Sequence, residues 1–593
     1  MIMTTALYNF VLEFLSLSWL TGPIFDKELR VSSRRRRNYV LRFAYLALLT
    51  IFLVLFWLQE VPYRGSSGAL LSSRMARAGQ TIIMFIVWFQ FCATQIVAVI
   101  MLSNSISDEI YHRTLGLLMT TPINSFQIVM GKLASKLLQL ILLLAISLPL
   151  LAVVRVFGGV PWHYVISSLC ITLTAAIFVG SLSLFFSIFS RRAYVVIIMT
   201  FFTLGMLFAV LPLFTALFVN RIVSEREFFS VLSYLNPYVL LAFGTEAMMS
   251  PRMGGWVSMF SWPLHCAIML AGSVLMLSVS VIMVRKVAIR QATGQLGTSS
   301  RRRSNRKPAS ASADRQERTA VPRRIKGPPV LWKELRSPVL GRRKITMLVA
   351  IVGGLILLFI TYGLCERANI LDEEGIHILY VFIFMCLGML FTIVLPATCI
   401  TSEKESRSWP LLLATTLSDW KIISGKFIGI LRRCLPIWFV LFGHVIVFTL
   451  AQMIHPIAII QMAILVAWIV VFLSGTGLYF SSRFRRTTTA VMMNFALAAV
   501  IWAIVPLLLV LIGQMTHEHG FLEAYMDTHP FFHVIVVMDA TIRHGRELIY
   551  YWMTSEMDAV ESTIWMLTYM LGYMFLGFLF VWRAKCRLRR NIF

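Results

Sequence analysis

The sequence predicts an all-α polytopic membrane protein with about twelve transmembrane helices, arranged as two parallel six-helix repeats. Composition, apolar runs and an internal repeat carry that reading. Of 593 residues 58% are hydrophobic and 14% charged, with a mean hydropathy of +0.78. A soluble domain carries roughly 45–50% apolar and about 25% charged residues. The apolar residues gather near 40–59, 80–104, 133–157, 162–189, 194–219 and 264–284, then 345–364, 376–400, 434–454, 457–481, 488–513 and 561–582. Each run approaches the ~20 residues that span a bilayer as a helix. Backbone polar groups must be paired inside lipid, and no run alternates as a barrel strand would, so the runs read as helices.

The net charge of +27 is placed by topology rather than gathered for nucleic acid. Arg34–Arg37 precede the first run, Arg191-Arg192 and Arg485-Arg486 separate the fourth from the fifth and the tenth from the eleventh, and basic residues crowd 285–344 and 583–590. The rule that Lys and Arg stay inside then sets both termini in the cytoplasm, with Arg64, Arg74 and Arg77 dissenting. Multi-pass insertion in the plasma (cytoplasmic or inner) membrane follows as the expected location. The eight cysteines form no C-x-x-C pair, which argues against a disulfide framework or a zinc site. Residues 6–20 carry an apolar stripe at helical spacing, read as an interfacial helix.

The repeat is explicit. Lys27-Glu28-Leu29-Arg30 recurs as Lys333-Glu334-Leu335-Arg336, each after a Gly-Pro (Gly22-Pro23, Gly327-Pro328). At a constant offset of 294, Glu109, Arg113, Leu117, Gly131 and Lys132 map onto Glu403, Arg407, Leu411, Gly425 and Lys426, and Pro212 onto Pro506. Asn236-Pro237-Tyr238 resembles His529-Pro530-Phe531, slightly off that offset. The chain therefore divides into a first repeat (1–286), a basic linker (287–326) and a second repeat (327–593). The linker holds almost no large apolar residues and cannot offset its ordering entropy by burial, so it reads as a disordered cytoplasmic tether. An even number of spans per copy gives both the same orientation.

Between the second and third runs of each copy lies a cytoplasmic elbow. Glu109 and Arg113, like Glu403 and Arg407, stand four apart, a spacing that places opposite charges on one helix face. Short apolar stretches follow, then an aromatic (Phe126, Trp420) and the Gly-Lys leading into the next span. The pattern E-x-x-x-R-[TS]-x-x-L-L with [FW]-x-I-x-x-G-K, together with the Gly-Pro…Lys-Glu-Leu-Arg opening and the six-span unit, resembles the type-2 ATP-binding cassette (ABC) permeases. The resemblance covers both copies. It implies a fused permease pair whose elbows hold the coupling helices that dock on a separate ATPase, and it leans towards export. One departure is Thr416, which stands where the first copy has Pro122.

The chain itself offers no nucleotide site. The two Gly-Lys pairs lack the earlier glycine and the following Ser/Thr of a P-loop, since Phe126 and Trp420, then Leu133 and Phe427, stand there. No cofactor is expected in this chain, ATP belonging to a partner. Ionisable residues are scarce within the runs (His265 and His444 inside or near them, Arg155 and Glu246 near ends), so the proton relay of a secondary transporter is not evident. That class, with its own 6+6 helices, and a membrane-embedded enzyme on lipid-linked substrates remain the alternatives. Pro212 and Pro506 remove a backbone donor and are expected to kink the fifth and eleventh spans. Five histidines in 514–560 (His517, His519, His529, His533, His544) match no metal-site spacing.

Overall fold

The computed structural model describes residues 18–34, 36–60, 68–112, 114–156, 158–190, 192–213, 215, 225–250, 261–292, 327–336, 344–516, 518–542 and 548–590. The stripe at 6–20 (up to Leu17), Arg113, Arg191, the linker from 293 to 326, His517 and His544 lie outside these residues. The chain divides into two compact units, 1–209 with 225–324, and 325–593 with 210–224.

In the first unit a short entry helix α1 (Ser18–Ser33), broken at Gly22, precedes the spans α2 (Arg36–Glu60) and α3 (Gly68–Leu102). The elbow helices α4 (Ser107–His112) and α5 (Leu115–Leu118) follow, then the spans α6 (Ser125–Val156), α7 (Trp162–Phe189) and α8 (Ala193–Leu213). Helices α9 (Glu225–Leu235) and α10 (Pro237–Met249) are bent against each other by 112° and lead to the last span, α11 (Trp262–Ala292). The chain thus turns back sharply between α9 and α10, at the end of the unit far from the elbow.

The second unit repeats this order: α12 (Pro329–Arg336), α13 (Lys344–Arg367), α14 (Glu374–Thr398), elbow helices α15 (Thr401–Glu405) and α16 (Trp409–Leu413), then α17 (Asp419–Leu450), α18 (Ile457–Arg483) and α19 (Thr487–Thr516). Helices α20 (Gly520–Met526) and α21 (Pro530–Ile542) and a two-residue strand pair, β1 (Tyr550–Tyr551) with β2 (Glu556–Met557), precede the final span α22 (Ala559–Arg587). Among the described residues eleven helices are long and apolar enough to cross a membrane, and α13 holds the seventh place in the order.

The helices outrun the apolar runs that announce them. α6 starts at Ser125 and α17 at Asp419, because polar first turns that face water or partner charges extend a helix without raising its hydropathy. Likewise α11 continues to Ala292, inside the segment 287–326 read as tether. Ala288 is buried there, and the Gln291 side chain donates to the Ile110 carbonyl at 3.2 Å. The tether reading is corrected for those residues.

α7 and α18 are the central helices of their units: 67% and 72% of their apolar windows are buried, against 17–56% for the other spans. Without a hydrophobic drive between helices in lipid, close approach depends on small residues. α7 supplies Ser167, Ser168, Ala175, Ala176, Gly180 and Ser181, and α18 supplies Ser474, Gly475, Thr476 and Gly477.

Candidate functional site

Each unit ties its elbow to its entry helix through one buried lysine. In the second unit the Lys426 ammonium, with 1% of its side chain exposed, lies 2.9 Å from Glu403 of α15 and 3.4 Å from Glu334 of α12. Lys333 reaches Glu403 at 2.9 Å and Arg433 reaches Glu334 at 2.5 Å. In the first unit Lys132, 8% exposed, lies 3.0 Å from Glu109 and 3.9 Å from Glu28, and Lys136 is 3.6 Å from Glu28. The retained Glu, Glu and Lys of each copy therefore meet as one carboxylate–ammonium–carboxylate lock. Glycines make room for it. Gly22 and Gly327 turn the chain at φ 63° and 95° into the entry segment, a region that favours glycine. A Cβ at Gly425 would lie 3.0 Å from the Leu331 amide nitrogen, so glycine there lets α12 lie flat on α17.

The lock corrects the expected pairing of Glu403 with Arg407. Arg407 has a φ of 55° and ends the helical turn, so the two side chains do not share a helix face. Its guanidinium is exposed. The Ser408 amide closes on the Glu403 carbonyl at 3.0 Å, as the Thr114 amide does on Glu109 at 3.0 Å, so the same bond closes both elbows. Of the other retained residues, Arg336 stacks over Trp332 at 4.6 Å, Lys27 and Arg30 are exposed, and Gly131 is buried.

With Glu109 and Glu403 held by lysines, the elbows present apolar tips. Leu117 is 68% and Leu411 73% exposed, beside the exposed aromatics Phe126 and Trp420. Leu115 and Trp409, two residues before each leucine, are buried anchors.

The second elbow has further ties that sequence reading missed. Lys404 donates to the carbonyls of Ser481 at 3.1 Å, Ser482 at 2.5 Å and Phe484 at 3.0 Å, closing the end of α18. Burial, with Arg485 nearby, lowers its pKa to about 8, which leaves it mainly protonated at neutral pH. Glu405 accepts from the Thr487 amide at 2.7 Å and hydroxyl at 2.8 Å, at the start of α19. Ile110 and Tyr111 occupy the matching positions of the first copy. A search guided by matches between copies passes over such residues; the run Glu403-Lys404-Glu405 beside a span was the available signal.

Burial pushes the Glu403 pKa up, but Lys426 and Lys333 outweigh it and the net shift is downward. A carboxylate with a lowered folded pKa contributes stability that is fully present above its ordinary value and is lost as pH falls through the lowered one. The difference in melting temperature between wild type and Glu403→Gln is therefore expected to stay constant from neutral pH down to about pH 5 and to shrink only below about pH 4. Thermal scans in detergent across that range check it.

At the far ends, the two prolines expected to kink their spans sit in like surroundings. α8 contains a π-helical turn at Met206–Val210 and α19 one at Val500–Ile504, each just before its proline. Pro212 and Pro506 have no N–H for the carbonyl four residues back. Those carbonyls are taken instead by the Asn236 amide (to Phe208, 2.8 Å) and the His529 imidazole (to Trp502, 2.8 Å). His533 bonds the Asp527 carbonyl at 2.6 Å, and the Asp527 carboxylate accepts from Met553 and Thr554. Among the described residues no group of three or more His, Cys, Asp or Glu is arranged to hold a metal. Inside the second unit, His444 bonds the Tyr362 hydroxyl at 2.7 Å and packs against His377, which the sequence reading did not single out.

Two like units, each a bundle of spans with a lysine-locked elbow at one end and short helices before the last span at the other, define a duplicated polytopic α-helical membrane protein. The profile of the ABC-2 family transporter protein matches residues 23–284 and again 286–583, and the chain belongs to that family. No curated protein matches the chain.

Proposed function

We propose that this chain is the membrane subunit of an ABC exporter, with two fused permease units driven by ATP hydrolysed on a separate cytoplasmic ATPase subunit. The elbows lie in the cytoplasm with both termini, in the plasma (cytoplasmic or inner) membrane, where the basic clusters meet anionic lipid. The ATPase docks on Leu117 and Leu411, and the buried locks make each elbow move with its entry helix and third span. The carrying observation is the combination at each elbow: an exposed leucine beside an exposed aromatic, on a turn whose glutamate is held by a buried lysine. Glu109, Glu403, Lys132 and Lys426 act in coupling by holding the tip rather than by touching the ATPase.

The test is purification of the full chain with whatever ATPase accompanies it. Leu117→Asp combined with Leu411→Asp is expected to cut ATPase capture at least about tenfold, as loss of buried anchor residues does, with an unchanged melting temperature. Full capture by that double variant ends the docking assignment. Alkylation of single cysteines introduced in residues 114–126 from outside the cell would refute the orientation.

A further inference from the structure

We propose that Asn236 and His529 are the latches of a hinge in the fifth and eleventh spans, and that the transport cycle includes their release. The inference rests on the transport reading above.

The two π-helical turns lie at the repeat distance, Met206–Val210 against Val500–Ile504, although their sequences differ at most positions. Their placement thus follows from the prolines and the latches, not from shared side chains. A π turn passes into an α turn when each hydrogen bond moves by one residue. In the α register the carbonyls of Phe208 and Trp502 face Pro212 and Pro506, which offer no N–H, so only a π-type bond to Leu213 or Leu507 could replace the latch, and in lipid they cannot turn to water. Each is held by a side chain from outside its own helix. Asn236 is 2% and His529 8% exposed, and each stands directly before the proline that opens a far-end helix, α10 or α21. Bending of the span is thereby linked to movement of that helix.

The two copies meet the same demand with different chemistry. A carboxamide and an imidazole share neither shape nor volume; they share an N–H donor. Asn236 also accepts from the Tyr238 amide at 3.0 Å, which fixes the side chain so that its nitrogen faces the hinge. In the second unit the Tyr525 hydroxyl adds a bond to the Ile501 carbonyl at 2.6 Å, so that hinge is held twice.

The experiment uses the full chain in nanodiscs. Asn236→Leu and His529→Leu remove the donor; Asn236→His and His529→Asn exchange the two natural latches. Amide exchange in 200–213 for the first site and 494–513 for the second is expected to rise about tenfold in the Leu variants, the scale of one hydrogen bond lost from a local opening. Other helices keep their protection, and the exchanged variants regain it. With the co-purified ATPase, ATP turnover rises in the Leu variants, because the closed state loses a contact that the open state lacks. Unchanged hinge exchange in the Leu variants overturns the latch. Turnover that falls in step with melting temperature, without recovery in the exchanged variants, reduces both residues to helix support. A wild-type chain that brings down no ATPase sinks the transport reading and the gating role with it, while the exchange measurement still decides the latch.

Discussion

Lys426→Met is expected to remove most of the folded protein, whereas Lys132→Met at the matching position is expected to leave it folded. Lys426 is buried, and the carboxylates on either side, Glu334 and Glu403, have only 7% and 14% of their side chains exposed. Deleting the ammonium leaves two acids close together in a dry setting, with Arg433 and Lys333 on their outer sides. Breaking a buried pair by removing one partner costs about 3–5 kcal/mol, a large share of the ~5–15 kcal/mol that holds a domain together. In the first unit Glu28 and Glu109 are 27% and 25% exposed. Water can solvate them once Lys132 is gone, and the cost falls towards the ~1 kcal/mol of a partly exposed pair. The measurement is fluorescence-detected size exclusion with thermal challenge. Glu334→Gln and Glu403→Gln added to Lys426→Met should restore part of the loss, because neutral amides need no counter-charge. Equal behaviour of the two Lys→Met variants would show that the locks do not differ as their burial implies.

The lock also shows what the sequence made legible. Glu28, Glu109 and Lys132, and their partners Glu334, Glu403 and Lys426, stand out because they recur at fixed places while their surroundings change. That recurrence located the elbows correctly. The pairing itself was hidden: four-residue spacing pointed Glu403 at Arg407, and only the backbone turn at Arg407 redirects it to a lysine at the start of the next span. Spans were legible because lipid imposes one length and one composition. Their ends were not, since the polar turns of α6 and α17 are held by tertiary ion pairs and carry no hydropathy signal. The same holds at the far end. Proline marked the place in each copy, but the donors that take up the freed carbonyl come from over twenty residues downstream, where the offset between copies has already slipped by one. Lys404 and Glu405 were legible least of all, being charges with no counterpart to mark them.

Gly475→Val is expected to separate α18 from α22 and to lower the melting temperature more than any apolar substitution on the lipid-facing side of α22. A Cβ built at Gly475 would overlap the Gly577 carbonyl oxygen and come within 2.9 Å of its carbonyl carbon, and a Cβ at Gly577 would lie 2.9 Å from the Val471 carbonyl oxygen. Backbone meets backbone there, so no side-chain rotation relieves the clash. The opposite flank of α18 is equally tight, for a Cβ at Gly477 would lie 2.7 Å from Cβ of Pro396 and 3.0 Å from the Asn494 amide nitrogen. That amide, on α19, bonds the Ile393 carbonyl of α14 at 2.8 Å, so α18 cannot retreat from α22 without pushing into a buried polar bond between α19 and α14. Overpacking typically costs about 1–3 kcal/mol, and blocking both flanks sets the expectation at or above the upper end. Gly475→Ala should show a smaller loss of the same sign. The first copy has Ser181 at the matching place, its hydroxyl bonded to the Ile177 carbonyl at 2.8 Å, so α7 already accommodates a Cβ and Ser181→Ala should be nearly neutral. A chain carrying Gly475→Val that melts with wild type would mean that α18 and α22 part freely, and the central helix of the second unit would then be a moving element rather than its fixed axis.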